Sequence, residues 1–436
     1  MECQGNTAFT QFESFVDESE DTNFYRTFIR KKDSLASVKA RKKGNKFFSQ
    51  KHHSADIHEK ILLNYSKSVA LAPFPSEELV LAVGNRSCLL KHLGKYKECI
   101  DDIYFALQFD IKSDIFKMKL LCRKIICLYM LNKKLQARQL IAEVKLFSNQ
   151  ISDNHSEQKD EYLKNVSDLV NSEMKLGNLE KQHVSKVLVS NSLPYVSDAV
   201  SFKYNEKIGR HLVANRNIGA GEILFIEEPI CCFPNEDNLY VICSHCLNLT
   251  YNCIPCEYCV VAVYCSYKCK SKAWKKYHDI ECSITPQVIS ITCNKGHLCA
   301  WRLFFIALKE KTLDEIINEA DNFVHNKQID DLTKIKATGN NTFALSYELQ
   351  DQYEHRQRTN RFAHHDNSVI MTNFLLALQM SPYFSKNSAL KNNISTLHNI
   401  LMKLYHKCGN NNIIVSILRH IQFKRLTFEL FITNLF

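Results

Sequence analysis

From about Lys39 to Phe147, apolar residues recur at three- and four-residue steps, the spacing of amphipathic helices packed against one another. The stretch is self-similar at a period of roughly the mid-to-high thirties, the mark of stacked supersecondary units. "NRSCLLKHLGKYKECIDDIYFAL" predicts a helix, a turn at Leu93-Gly94-Lys95-Tyr96 and a second helix. "KLLCRKIICLYMLNKKLQARQLI" repeats it with Asn132 in the glycine's place. A preceding unit is split, "KKGNKFF" opening its first helix and "YSKSVALAP" closing its second, so the array covers residues 35–147. The period then changes. Within residues 200–242, "KIGRHLVANRNIGAGEILFIEEPICCF" predicts a strand over Leu212–Ala214, a Gly-rich turn over Ile218–Gly221 and a second strand over Ile223–Glu227, a hairpin closed by Pro229. Helical spacing returns within residues 283–422, in "HDNSVIMTNFLLALQMS" and "NNNIIVSILRHIQ". Three segments lack such a pattern: an acidic stretch over 1–34, expected to be a disordered tail, a polar connector over 148–199 with one or two helices, and a divergent tail over 423–436. The expected fold is mostly α with a small β part.

Composition narrows the setting. A chain of 436 residues is long enough for two or three domains with sizeable cores. Its net charge of +10 permits nucleic-acid contact without demanding it, so nucleic acid is not expected as the main partner. The first residues lack the basic and apolar regions of a signal peptide. The longest apolar runs, "AWRLFFIAL" and "NNIIVSILRHI", are short for a membrane helix and carry arginine, so they read as buried helices and no membrane partner is expected. A soluble, intracellular chain with reduced thiols follows as the expectation, cytoplasmic or nuclear or both. The basic stretch "RKKDSLASVKARKKGNK" reads as a nuclear-import signal, but its second half doubles as the first repeat helix.

Cysteine placement changes the picture more. Eight of the eighteen cysteines fall between Cys243 and Cys282. They give Cys243-x-x-Cys246, Cys256-x-x-Cys259, Cys265-x-x-x-Cys269 and His278-x-x-x-Cys282, with Cys253 left over. Two-residue gaps suit a tight knuckle whose sulfurs face one ion, and three-residue gaps put two ligands one helical turn apart. "CKSKAWKKYHDIEC" is rich in helix formers, so Cys269, His278 and Cys282 are expected on short helices. A disulfide knot conflicts with the compartment, and a redox pair needs one Cys-x-x-Cys rather than several. Two tetrahedral Zn2+ sites remain, and spacing alone allows consecutive or interleaved pairing. Seven thiolates against two Zn2+ leave a charge of about −3, which Lys268, Lys270, Lys272, Lys275 and Lys276 are expected to compensate. On this view the metal replaces a core that so short a segment cannot build.

The order of these pairs, with "VYC" before the third and "YHDIEC" at the end, resembles the MYND zinc finger over residues 243–282. The resemblance implies interleaving: Cys243, Cys246, Cys265 and Cys269 on one zinc, and Cys256, Cys259, His278 and Cys282 on the other. It also implies peptide binding by the finger. The preceding "GRHLVA" and "AGE" with "EEP" look like the first part of a SET domain. A MYND finger inserted there marks the SET- and MYND-domain protein-lysine methyltransferases. The resemblance implies a partial SET β-domain interrupted by the finger, then a helical SET insert. It further implies S-adenosyl-L-methionine bound where a glycine lets the backbone approach it, at Gly209, Arg210 and His211, with His211 standing where the family has a second glycine. The family's Asn-His-Ser-Cys-x-Pro-Asn stretch does not follow the finger, and the Asn154-His155-Ser156 triplet sits in a polar linker without that continuation. No catalytic residue is therefore assigned. The chain is expected to be a truncated form, a methyltransferase family member that does not itself transfer methyl groups. A non-catalytic adaptor binding partner proteins is the alternative.

The helical array resembles tetratricopeptide repeats. Arg41 and Asn45 share one helix face, as do Lys119 and Arg123, and Asn85 lies on the helix between them. The set resembles the carboxylate clamp of tetratricopeptide domains that grip the acidic C-terminal tails of the Hsp70 and Hsp90 chaperones.

Overall fold

The computed structural model describes residues 31–50, 54–151, 156–173, 195–205, 209–226, 230–234, 236–288, 295–325, 361–380, 384, 392–410, 412–417 and 426–431. The acidic stretch up to residue 30, Asn154 with His155, and most of residues 326–360 and 418–436 lie outside these. Described residues are mostly helical, as the periodicity predicts.

Six helices form three successive antiparallel hairpins: α1 (Ser34–Phe48) with α2 (Ala55–Leu71), α3 (Glu77–His92) with α4 (Tyr96–Leu107), and α5 (Asp114–Met130) with α6 (Lys134–Ser148). Their starts are written locally. Asp33, Ser54, Ser76 and Ser113 each accept a hydrogen bond from a first-turn N–H, satisfying a donor the helix leaves unpaired. The two later hairpins turn in the same way. Gly94 has φ 70° and Asn132 has φ 58°, and the next residues, Lys95 and Lys133, donate back to Leu90 O and Leu128 O, both at 2.8 Å. Asparagine tolerates this left-handed conformation better than other side-chain-bearing residues, so Asn132 does replace the turn glycine.

Helix spacing is set by two glycines. A Cβ on Gly44 would lie 2.6 Å from Tyr65 Cε1, and one on Gly84 would lie 2.4 Å from Phe116 Cζ. Helix α7 (Ser156–Glu173) closes against α5.

The β part is small and its pairings run backwards along the chain. β1 (Tyr195–Val196) pairs with β4 (Phe225–Ile226), and β2 (Val200–Asn205) pairs with β3 (Gly209–Ala214), all antiparallel. The predicted hairpin across Ile218–Gly221 is thus corrected. Its two strands exist, but each pairs with an upstream strand rather than with the other. The turn itself is real: Gly221 has φ 82°, and Arg216 bridges Glu222 at 2.6 Å and Asp198 at 3.0 Å.

A second correction concerns "NNNIIVSILRHIQ". Asn412–Ile417 is a strand, β8, because β-branched residues stiff at χ1 favour the extended backbone and short apolar runs carry little period information. With β5 (Cys231–Pro234) and β9 (Leu426–Phe431) it forms a three-stranded antiparallel sheet in the order β5-β9-β8. Part of the supposed divergent tail therefore returns to the strand that precedes the cysteine cluster.

Beyond the sheet lie α8 (Tyr267–Ala273), α9 (Asp279–Val288), α10 (Lys295–Glu310), α11 (Leu313–His325), α12 (Arg361–Met380) and α13 (Ile394–Asn410). Trp301 of α10 stacks on Phe374 of α12, centroids 4.6 Å apart, and Leu397, Leu401 and Leu404 of α13 fill the same core. That core runs on without a break into the cysteine-rich segment and reaches Ala70 and Leu71 at the end of α2. No helix among the described residues is long and apolar enough to cross a membrane.

Substituting Gly84→Ala should force α3 and α5 apart against Phe116 and cost about 1–3 kcal/mol, the usual range for overpacking. Thermal melting checks it. Adding Phe116→Leu should recover part of the loss, whereas an unchanged midpoint for Gly84→Ala would show that the helices are not in contact there.

Candidate metal centre

Short β-structure and one helix bend gather the cysteines. β6 (Ile254–Pro255) pairs with β7 (Val263–Tyr264), which brings Cys256 and Cys259 under the strand that leads to Cys265. Ser266 caps α8 by accepting from Cys269 N at 3.2 Å, so the third pair is held at a helix start. Between α8 and α9 the helix widens into a π turn, Trp274–His278. Such a turn inserts a residue and re-aims the side chain that closes it, here His278.

The eight ligand atoms fall into two groups of four, Cys243 with Cys246, Cys265 and Cys269, and Cys256 with Cys259, His278 and Cys282. Within each group the ligand atoms lie within 4.8 Å of one another. The grouping is interleaved, as the resemblance implies and spacing alone left open. Close approaches of 3.6 Å link Cys246 to Cys265, Cys265 to Cys269, Cys256 to Cys282, and Cys259 Sγ to His278 Nε2. The second group is buried throughout and the first is partly exposed. Soft thiolate and imidazole donors in fours suit Zn2+. Hydrogen bonds from Cys259 and Cys282, followed by one from His278, hold the Cys256 thiol far below its usual range. The contact with Cys256 pushes the Cys282 thiol far up in turn, and as metal ligands all of these sulfurs are thiolates, whose charge asks for a cation.

Some of that cation comes from residues the sequence did not single out. Lys32, just before α1, donates to Ala70 O at 2.7 Å and is half-buried. Burial pushes its ammonium down, while Cys259, Cys256 and Cys282 pull it back up. Of the expected lysines, Lys270 instead pairs with Glu257 at 2.7 Å, and Lys276 donates to Ile230 O. In the second group His278 Nδ1 meets Glu281 Oε2 at 3.0 Å, and Arg302 grips Glu281 with Nε at 2.8 Å and Nη2 at 3.1 Å. Burial alone would raise the Glu281 carboxyl, but Arg302 and His278 outweigh it and hold it at about 2.

The leftover Cys253 has a partner too. Arg86 of α3, 1 % exposed, donates through Nη1 to Cys253 Sγ at 2.9 Å and through Nη2 to Cys253 O at 3.0 Å. Its remaining donors grip Asp102 of α4 at 2.8 and 2.9 Å. A buried guanidinium this well paired ties the helical array to the cysteine segment.

The chain matches no family model. It is 26 % identical over 286 residues to the protein-lysine N-methyltransferase SMYD4 of Danio rerio, covering 62 % of this chain and 32 % of the relative. With the protein-lysine N-methyltransferase SMYD4 of Mus musculus the identity is 28 % over 331 residues, 64 % of this chain and 39 % of the relative. A shorter match, 37 % over 76 residues, links 17 % of this chain to 18 % of the histone-lysine N-methyltransferase SMYD3 of Homo sapiens. Over these stretches the chain is similar to SET- and MYND-domain protein-lysine methyltransferases. It spans about a third of the length of these curated SMYD4 relatives.

The other sequence-derived residues fare unevenly. Asn45 and Asn85 meet directly, Nδ2 of Asn85 donating to Oδ1 of Asn45 at 2.8 Å, with Tyr65 donating to the same oxygen at 2.9 Å. Lys119 is exposed on α5 and Arg41 is half-buried on α1. Arg123 lies deeper: at 7 % exposure, its Nη1 donates to Gly84 O at 2.8 Å and Ser87 Oγ at 2.6 Å. It braces α5 on α3. Gly209, Arg210 and His211 open β3, opposite Asn205, Tyr204 and Lys203.

Replacing Cys253 with alanine removes one of Arg86's buried acceptors, a loss of about 1–3 kcal/mol. The melting midpoint should fall while the metal content of the purified chain matches wild type. Loss of metal on Cys253→Ala would make Cys253 a ligand and contradict the grouping.

Proposed function

We propose that this chain serves protein-lysine N-methylation by supplying a zinc-held MYND finger set between SET strands and a tetratricopeptide-like partner-binding array. The interleaved assembly of seven cysteines and His278 carries this reading, because it sits directly after strands that resemble the start of a SET domain. Cys243, Cys246, Cys265 and Cys269 would hold one Zn2+, and Cys256, Cys259, His278 and Cys282 the other, both as structural ions with four protein donors. A structural zinc of this kind contributes about 10–16 kcal/mol, far more than a core built from these few residues could.

S-adenosyl-L-methionine, when bound, supplies an electrophilic sulfonium methyl. Gly209–His211 would contact it through the backbone. In the β2–β3 hairpin these residues pair with Asn205, Tyr204 and Lys203, and their own main chain is assigned to the cofactor. The residues of this chain are assigned no proton transfer and no role in methyl transfer, since the Asn-His-Ser segment that the family uses does not follow the finger.

Partner binding is the second contribution. The Asn45–Asn85 contact, with Arg41 and Lys119 on neighbouring first helices, supports a groove that takes an acidic C-terminal peptide. Amides and cations donate to carboxylates through charge-assisted hydrogen bonds. Arg123 would steady α5 rather than hold the peptide. The finger itself is proposed to bind peptides, and the adaptor reading survives wherever binding occurs without methyl transfer.

Elemental analysis of the full chain should find two equivalents of zinc, and excess chelator should unfold the finger; one equivalent or none refutes the reading. Radioactive methyl transfer to protein lysines by this chain should stay at the level of a Cys265→Ser control, and transfer above it would show that a complete catalytic site lies within these residues. A Glu-Glu-Val-Asp peptide should bind the array, and Lys119→Ala should weaken it about tenfold, the loss of one charge-assisted bond. Equal affinity for an amidated peptide would refute the groove.

A further inference from the structure

Glu281 and Arg302 are buried beside the second cysteine group, each side chain 3 % exposed. Neither is a ligand, and a buried ion pair is often no more stabilising than apolar residues of the same size. What this pair does that apolar residues could not is accept the Nδ1–H of His278, through Glu281 Oε2 at 3.0 Å. The other ring nitrogen, Nε2, faces Cys259 Sγ at 3.6 Å, inside the ligand group. A proton fixed on Nδ1 leaves the Nε2 lone pair for an ion.

Arg302 is held as firmly as it holds Glu281. Its guanidinium lies between the rings of Phe233 and Tyr277, 4.3 and 4.5 Å from their centroids. Nη1 donates to Cys232 O of β5 and to Ser244 O, at 3.2 Å, in the knuckle between Cys243 and Cys246. One side chain on α10 thus touches the carboxylate behind the second group, the loop of the first group and the strand that precedes both.

We propose that Glu281 and Arg302 are positioning residues for the second zinc site: Glu281 fixes the tautomer and orientation of His278, and Arg302 fixes Glu281 against α10 and β5. The proposal rests on the zinc reading above. Carboxylates behind metal-bound histidines set ligand orientation and basicity, and losing one typically weakens metal retention about 10–100-fold.

The test uses the full chain purified with zinc, and follows release to a colorimetric chelator. Wild type should release two equivalents in two kinetic phases. Glu281→Gln should speed one phase about 10–100-fold and leave the other unchanged. Arg302→Met should speed that phase too, and the other as well because Ser244 O in the first group's knuckle loses its donor; Arg302→Lys should fall between, and Glu143→Gln, exposed on α6, should match wild type. In Glu281→Gln a mere loss of packing would speed both phases together. Wild-type release from Glu281→Gln overturns the proposal while leaving the two zincs standing; fewer than two zincs in wild type overturns the zinc reading and the proposal with it. Should the variants fail to fold, nitrogen NMR of histidine-labelled wild type decides: His278 should carry its proton on Nδ1 with metal on Nε2, and metal on Nδ1 overturns the proposal.

Discussion

Crowding of metal-ligating side chains is the constraint on which this structure turns. Seven sulfurs and one imidazole are drawn into two groups inside the segment from Cys243 to Cys282, and the second group is wholly buried. As metal ligands the sulfurs would be thiolates, and buried anions of that density are stable only with cations among them. Divalent metal supplies most of that charge in the zinc reading, and Lys32 and Arg302 stand around it. The surrounding fold is arranged to deliver these cations. The residue before α1 reaches the end of α2, and α10 crosses behind the finger.

Three buried arginines show how the parts are joined. Arg86 joins α3 and α4 to Cys253, Arg302 joins α10 to β5 and to both cysteine groups, and Arg123 braces α5 on α3. Each uses several of its donors at once, the geometry in which a planar guanidinium outperforms lysine. Apolar contact runs the same way: Ile61, Leu62 and Tyr65 of α2 share a core with Cys232, Val241, Ile242 and Leu247. The helical array and the cysteine-rich segment therefore share a packed core.

What was legible in the sequence was local. Ligand spacing marked the eight residues, and Gly94 and Asn132 marked equivalent turns, because a turn or knuckle is decided within a few residues. The strands over Leu212–Ala214 and Ile223–Glu227 were legible as strands but not as partners, since register depends on residues far along the chain. β8 read as helix because an isoleucine-valine run has no clear period, and only pairing with β9 decides it. Charged helix residues misled in both directions. Arg123 looked like a groove residue and is a brace, while Arg86, Glu281 and Arg302, which no pattern in the sequence singled out, are buried partners. Nothing in a single helix tells which charge will meet a second one across the fold.

Hydrogen exchange before and after zinc removal tests most directly whether the metal centre holds these parts together. The account predicts that exchange rises together in residues 243–282, in β5 and in α10, with α5 and α6 retaining their protection. A rise confined to residues 243–282, with β5 and α10 still protected, would contradict it.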